Sequence, residues 1–334
     1  MVFAIAESSP TIISRQADAP ASPWLVGPWF DALLIANIAW PLVLVAQLGE
    51  GFYGGEGVQF WQLYFITTPH RWITLFIVFL DRERFAERKA AFLALAAGFA
   101  AICLGVRLTT GTLTCLLTID YVWNAWHFAS QHHGIYRIYA RRSTPAPTAG
   151  ATLEKWAMRA FLLYVILRVA GATWPYATWE AGLQRLDWAA LAVPAWLVVK
   201  DFMFAPVGSS GRRLYLVSVC ALYVSLLAAV HLRQPALILS LATASALFHA
   251  IEYLALVSWS TRQRHAARSV QMGLLGSIAA RWLIVLGGFV LILGAAGWLL
   301  DQHLLQSWLL LNVIVAFLHY AYDGLIWRQR GARK

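Results

Sequence analysis

Four well-separated apolar segments of this chain each carry a histidine: His70 in ITTPHRWITL, His127 in DYVWNAWHFASQHHGIYRIY, His249 in FHAIEY and His319 in LHYAYDGLIWR. The second of these segments adds the adjacent pair His132 and His133. In hydrocarbon an ionisable group costs several kcal/mol unless it is paired, hydrated or bound to a metal, so positions like these point to function. Helical spacing adds further donors to the same faces. Asp120, Asn124, His127 and Gln131 fall at i, i+4, i+7 and i+11, and Asn312, His319 and Asp323 form a similar stripe. Glu252 lies three residues after His249, and Tyr253 follows one helical turn beyond that histidine. Imidazoles and carboxylates together suit iron, manganese or zinc, with nearby amides and carboxylates orienting the imidazoles. The candidate metal ligands are therefore His70, His127, His132, His133, His249, Glu252, His319 and Asp323. Asp120, Asn124, Gln131, Tyr253 and Asn312 are the candidate outer partners.

The distance along each segment to the next arginine places the four single histidines at one level. It is twelve residues from His70 to Arg82, ten from His127 to Arg137, thirteen from His249 to Arg262 and nine from His319 to Arg328. At about 1.5 Å per helical residue, all four lie roughly 13 to 20 Å from that basic boundary. His132 and His133 cannot both share the face of His127, because offsets of five and six residues turn them about 140 and 240 degrees away. Either the helix distorts before Gly134 or one of the pair points elsewhere. Pro69, directly before His70, is expected to kink its helix and free a carbonyl at the level of the site.

The elements that must hold these residues are membrane spans. Sixty per cent of the residues are hydrophobic, 13% are charged and the mean hydropathy is +0.61, a balance that suits a bilayer solvent. Apolar runs of about twenty residues predict an all-α polytopic protein with about ten transmembrane helices. These fall near 29–48, 58–80, 90–106, 112–139, 156–172, 188–204, 214–230, 236–259, 280–300 and 304–327. The stretch from Arg262 to Ser277 reads as an interfacial lead into the ninth. Eighteen Lys and Arg residues follow the even-numbered helices, whereas only Arg107, Arg185 and Arg233 follow the odd-numbered ones. Basic residues stay on the cytoplasmic side during insertion, so both termini are expected there. The expected organisation is a cytoplasmic tail over 1–28, one membrane domain over 29–327 and a basic tail over 328–334, in a bacterial inner membrane. The start of the chain has no basic segment followed by a long apolar run, so no cleaved signal peptide is expected.

The net charge of +10 is spread over many short loops and does not form a nucleic-acid-binding patch. Cys103, Cys115 and Cys220 lie in apolar segments without metal-ligand spacing and read as packing residues. Lys200 and Asp201 read as a self-neutralising pair. His231, His265 and His303 fall in or beside loops, where water is their expected partner.

In architecture the chain resembles the multi-histidine integral-membrane iron enzymes. The run from His127 to His133, a histidine, four residues and a histidine pair, is similar to the histidine boxes of the fatty acid desaturase and hydroxylase class, which space the pair more closely. Single histidines on separate helices are closer to the bacterial membrane carotenoid-cleavage dioxygenases. The resemblance implies non-haem iron with oxygen chemistry and gives no substrate. The leading expectation drawn from the residues is a membrane oxidoreductase with one or two iron ions that acts on a lipophilic molecule, with membrane lipids and an electron-donor protein as partners. Three other readings stay open: a haem protein, in which two histidines give both axial ligands, a transporter or proton relay built on the buried His, Asp and Glu, and a scaffold subunit of a larger membrane complex whose polar groups merely join helices. Haem or another transition metal is thus the alternative cofactor.

Overall fold

The computed structural model describes residues 22–48, 63–143, 150–172, 177–268 and 273–327, and among them every regular element is helical. The tail expected over 1–28 lies mostly outside the described residues, and the basic tail lies wholly outside them. In chain order the helices are α1 (Pro28–Phe30), α2 (Trp40–Leu48), α3 (Thr68–Leu80), α4 (Arg82–Glu87), α5 (Lys89–Thr110), α6 (Thr114–Ser143) and α7 (Ala151–Ala172). They continue with α8 (Ala177–Ala190), α9 (Ala192–Phe204), α10 (Ser210–His231), α11 (Pro235–Arg268), α12 (Leu274–Ala279) and α13 (Trp282–Ile326). Five helical stretches are long and apolar enough to cross a membrane, and a sixth is added if the bent pair Pro28–Ile35 and Trp40–Gln47, at 42°, is one span. The outer faces expose large apolar side chains such as Leu108, Leu283, Ile284 and Ile292, an exterior compatible with acyl chains.

Local chemistry sets several boundaries. Asp81 caps α4 by accepting the Arg84 N–H at 3.2 Å. Gly111, at φ +70°, ends α5 in the left-handed conformation that favours glycine. The sixth expected span, 188–204, is mostly α9, and the stretch before it, expected to lie between spans, is largely the helix α8. Pro194 has no N–H to bond the Ala190 carbonyl, so the ladder cannot run through unbroken. The eighth expected span runs on as regular helix through Arg262 to Arg268, so the first part of the expected interfacial stretch belongs to α11.

The ninth and tenth expected spans are the two arms of α13, joined at Leu304, whose φ of −138° and ψ of 42° are not helical. A Cβ on Gly297 would lie 2.7 Å from Trp308 Cζ2. On a straight helix those positions would be about 16 Å apart, so the chain reverses at Leu304 and residues 282–303 and 305–326 form a hairpin. The irregularity expected at Pro69 is a π-helical turn, Leu63–Thr67, immediately before α3. Within it the Thr67 hydroxyl bonds the Leu63 carbonyl at 2.9 Å, which helps satisfy the disturbed backbone.

Besides a small cluster around Ile73, Val257 and Trp282, two apolar cores pack among the described residues. One is built largely from α6, α7, α10 and α11 around Tyr136, Leu162, Val219 and Phe248. The other joins α3, α5, α6 and the second arm of α13 around Cys103, Phe92, Phe317 and Tyr322. Cys103 and Cys220 pack inside, while Cys115 is exposed and is not a core residue.

Candidate metal centre

Four helices each bring one imidazole to the interior: α3 His70, α6 His127, α11 His249 and the second arm of α13 His319. None is more than 8% exposed. The ring centroids of His70 are 5.2 Å from those of both His249 and His319, and His127 lies 5.0 Å from His249 and 4.7 Å from His319. His70, His249 and His319 present ligand atoms within 4.8 Å of one another, and His127, His319 and Asp323 do the same. His319 Nε2 and His127 Nε2 are 3.1 Å apart. Two nitrogens each about 2.1 Å from one ion and at right angles are about 3 Å apart, so this pair has the spacing of neighbouring ligands.

Polar satisfaction is uneven around the cluster. Neither ring nitrogen of His249 has a hydrogen-bond partner, although the residue is fully buried with its ring stacked on Phe128 at 3.8 Å. The ring nitrogens of His70 are buried and likewise make no hydrogen bond of ordinary distance and angle, with the Thr67 backbone as a neighbour. Such groups are rare in folded proteins because each costs about 1–3 kcal/mol. His319 is held firmly: its Nδ1 is 2.7 Å from Thr74 Oγ1, which is 2.7 Å from the Tyr253 hydroxyl. Tyr253 donates to Asp323 Oδ1 at 2.6 Å, and Asp323 Oδ2 faces His127 Nε2 at 3.8 Å.

His132 and Glu252 form a separate network beside this cluster. His132 Nδ1 is 3.2 Å from Glu252 Oε2 and 2.9 Å from the Tyr215 hydroxyl, which also donates to Glu252. Gln131 donates to Glu252 at 3.3 Å and to the His249 carbonyl at 3.2 Å, so it links the two networks. Tyr223, hydrogen-bonded by Ser245, lies 3.3 Å from His132 Nε2. Every oxygen of Glu252 thus has a partner other than the histidine cluster. α6 passes through Gly134 as regular helix, so the adjacent histidines diverge. His132 joins Glu252, while His133 is buried, has no partner for Nε2 and belongs to neither ligand group.

Three candidates remain, Asp120, Asn124 and Asn312. The Tyr320 hydroxyl bonds Asp120 at 2.8 Å and Asn124 at 3.1 Å, and Arg71 is 3.6 Å from Asp120. Asn312 accepts from Trp72 and donates to the Trp308 carbonyl, which ties the hairpin to α3. Two expectations are corrected. Lys200 pairs with Glu154, and Asp201 with Arg212 and Tyr136, because consecutive helical residues do not face each other. His231 Nδ1 lies 3.1 Å from Asp187, which also binds Arg168. Thr74, Tyr215 and Tyr223 were not singled out by the sequence. The spacing of Thr74, one turn after His70, could have pointed to it, whereas the two tyrosines sit in an ordinary apolar span. Comparisons with protein-family models, with curated proteins and with solved structures find no match for this chain.

Proposed function

We propose that this chain is a membrane non-haem iron oxidoreductase acting on a lipophilic substrate, with its metal held by His70, His127, His249 and His319 and charge-compensated by Asp323. The observation that carries this reading is His249, whose two buried nitrogens lack hydrogen-bond partners in the middle of three other imidazoles. A cation there supplies a partner for one of the two nitrogens, and Asp323, with Glu252 one network away, offsets its charge. Because Thr74 occupies His319 Nδ1, only Nε2 is free, and one nitrogen serves one ion. The two ligand groups therefore describe the surroundings of a single ion better than those of two.

Bound iron would supply a redox-active Lewis acid with positions open to oxygen or substrate. The protein's own part is to orient the imidazoles through Thr74 and Tyr253, to keep water out with its apolar cores, and to offer the apolar tail of a substrate a wall of like polarity. Haem fits less well. A porphyrin needs a flat slot between its axial ligands, and here the spaces between the rings are taken by other imidazoles. For the placement in the membrane, we favour ten spans with both termini cytoplasmic, from the alternation of basic residues. Membrane lipids and an electron-donor protein at the basic face are the corresponding partners.

The test is metal analysis with an optical spectrum on one purified preparation. Near-stoichiometric iron, no porphyrin absorption and loss of iron in His127→Ala and His319→Ala are expected. Protein that stays metal-free after anaerobic incubation with ferrous iron would remove the proposal.

A further inference from the structure

A chain of hydrogen bonds runs from Asp323 to Tyr253, to Thr74 and to His319, with separations of 2.6, 2.7 and 2.7 Å. Tyr253 is 1% exposed, and Thr74 and His319 are fully buried. Only the Asp323 end is open, at 9% exposed, so the protons available to the three inner groups are their own, one on each hydroxyl and one on the imidazole. With Asp323 ionised, its carboxylate has only lone pairs to offer. The Tyr253 proton must therefore point at Asp323, which leaves the phenolic oxygen as an acceptor. The Thr74 proton then points at Tyr253. The Thr74 oxygen, 2.7 Å from His319 Nδ1, can only accept, so His319 carries its proton on Nδ1 and presents a bare Nε2 to His127 and the cluster. The imidazole form that binds a metal through Nε2 is this one.

We infer that Thr74 and Tyr253 are positioning residues that carry the polarity of the Asp323 carboxylate across two hydroxyls and fix His319 in its ligand-ready tautomer. The inference rests on the metal reading for its purpose, though the tautomer follows from the hydrogen bonds alone. With no cation between the rings, the 3.1 Å contact between His319 Nε2 and His127 Nε2 takes its proton from His127. A metal ion occupying that space displaces the proton from His127 Nε2 and finds His319 already prepared.

The test uses the full chain in detergent micelles, with the imidazole nitrogens of histidine labelled with 15N, and assigns His319 by its absence in His319→Gln. In metal-free protein, His319 is expected to show a protonated Nδ1 and a bare Nε2. Thr74→Val and Tyr253→Phe break the chain at different links. Each is expected to return His319 to a mixture of tautomers and to weaken ferrous iron binding by roughly 10- to 100-fold in competition with a chelator. Thr74→Ser keeps the hydroxyl and is expected to keep both properties. A wild-type His319 protonated on Nε2 overturns the inference even if a variant does not fold, and so does an unchanged tautomer in both Thr74→Val and Tyr253→Phe. Iron binding that persists with an unchanged tautomer defeats this inference alone. A shifted tautomer in the variants of a protein that never takes up iron defeats the metal reading and leaves the hydrogen-bond polarity standing.

Discussion

Replacing His249 by leucine should move the stability of the metal-free and metal-loaded proteins in opposite directions. In the structure both nitrogens of this fully buried ring are without partners, and an unsatisfied buried polar group costs about 1–3 kcal/mol. Leucine removes that cost, has comparable bulk and can cover the face of Phe128 on which the imidazole stacks. Metal-free His249→Leu is therefore expected to be more stable than wild type by about 1–3 kcal/mol, or roughly 5- to 150-fold in the ratio of folded to unfolded protein. Ferrous iron at a thousandfold excess over its dissociation constant adds about 4 kcal/mol to a protein that binds it. The variant, short of one ligand, should lose most of that gain, so the order of stabilities inverts on loading. Reversible denaturant titrations in mixed micelles, after chelation and after anaerobic reconstitution, give all four values. A variant less stable than wild type in both conditions would show that His249 is an ordinary packing residue, and the argument from its unpaired nitrogens would fail.

Glu252→Gln and Asp323→Asn should separate the two polar networks. The first disturbs the contacts with Tyr215 and His132 and should lower stability by about 1–3 kcal/mol while keeping iron; the second should lose iron. Similar iron contents in the two purified variants would contradict this division. Gly297→Val places a Cβ 2.7 Å from Trp308 where the arms of α13 meet, and denaturant titration should show a loss of about 1–3 kcal/mol from overpacking. No loss there would argue against the hairpin. For topology, single cysteines introduced near each terminus in a background without Cys103, Cys115 and Cys220 should react with an impermeant maleimide in inverted vesicles and not in right-side-out cells. Labelling of the two ends from opposite sides would require an odd number of spans.

Much of the candidate site was legible because two one-dimensional rules act on the same residues. Helical rise converts residue counts into depth, which put His70, His127, His249 and His319 at one level. Helical periodicity put Asp323 on the His319 face and Gln131 on the His127 face. Other assignments were open because depth and azimuth along one helix do not say which helix lies opposite. Glu252 follows His249 by less than one turn, yet its carboxylate meets Tyr215 from α10 and His132 from α6 and turns away from the four rings. Lys200 and Asp201 are neighbours in sequence, but each found its partner on a different element.

What the sequence alone determined is an all-helical chain suited to a bilayer, with imidazoles gathered at a common depth, because hydrophobicity and helical rise are properties of each segment by itself. Which rings meet, which carboxylate faces them and where the long α13 reverses were decided only in three dimensions. The cause is that helix neighbours are chosen by the packing of whole faces, as when Trp308 closes on Gly297 or Thr74 meets His319.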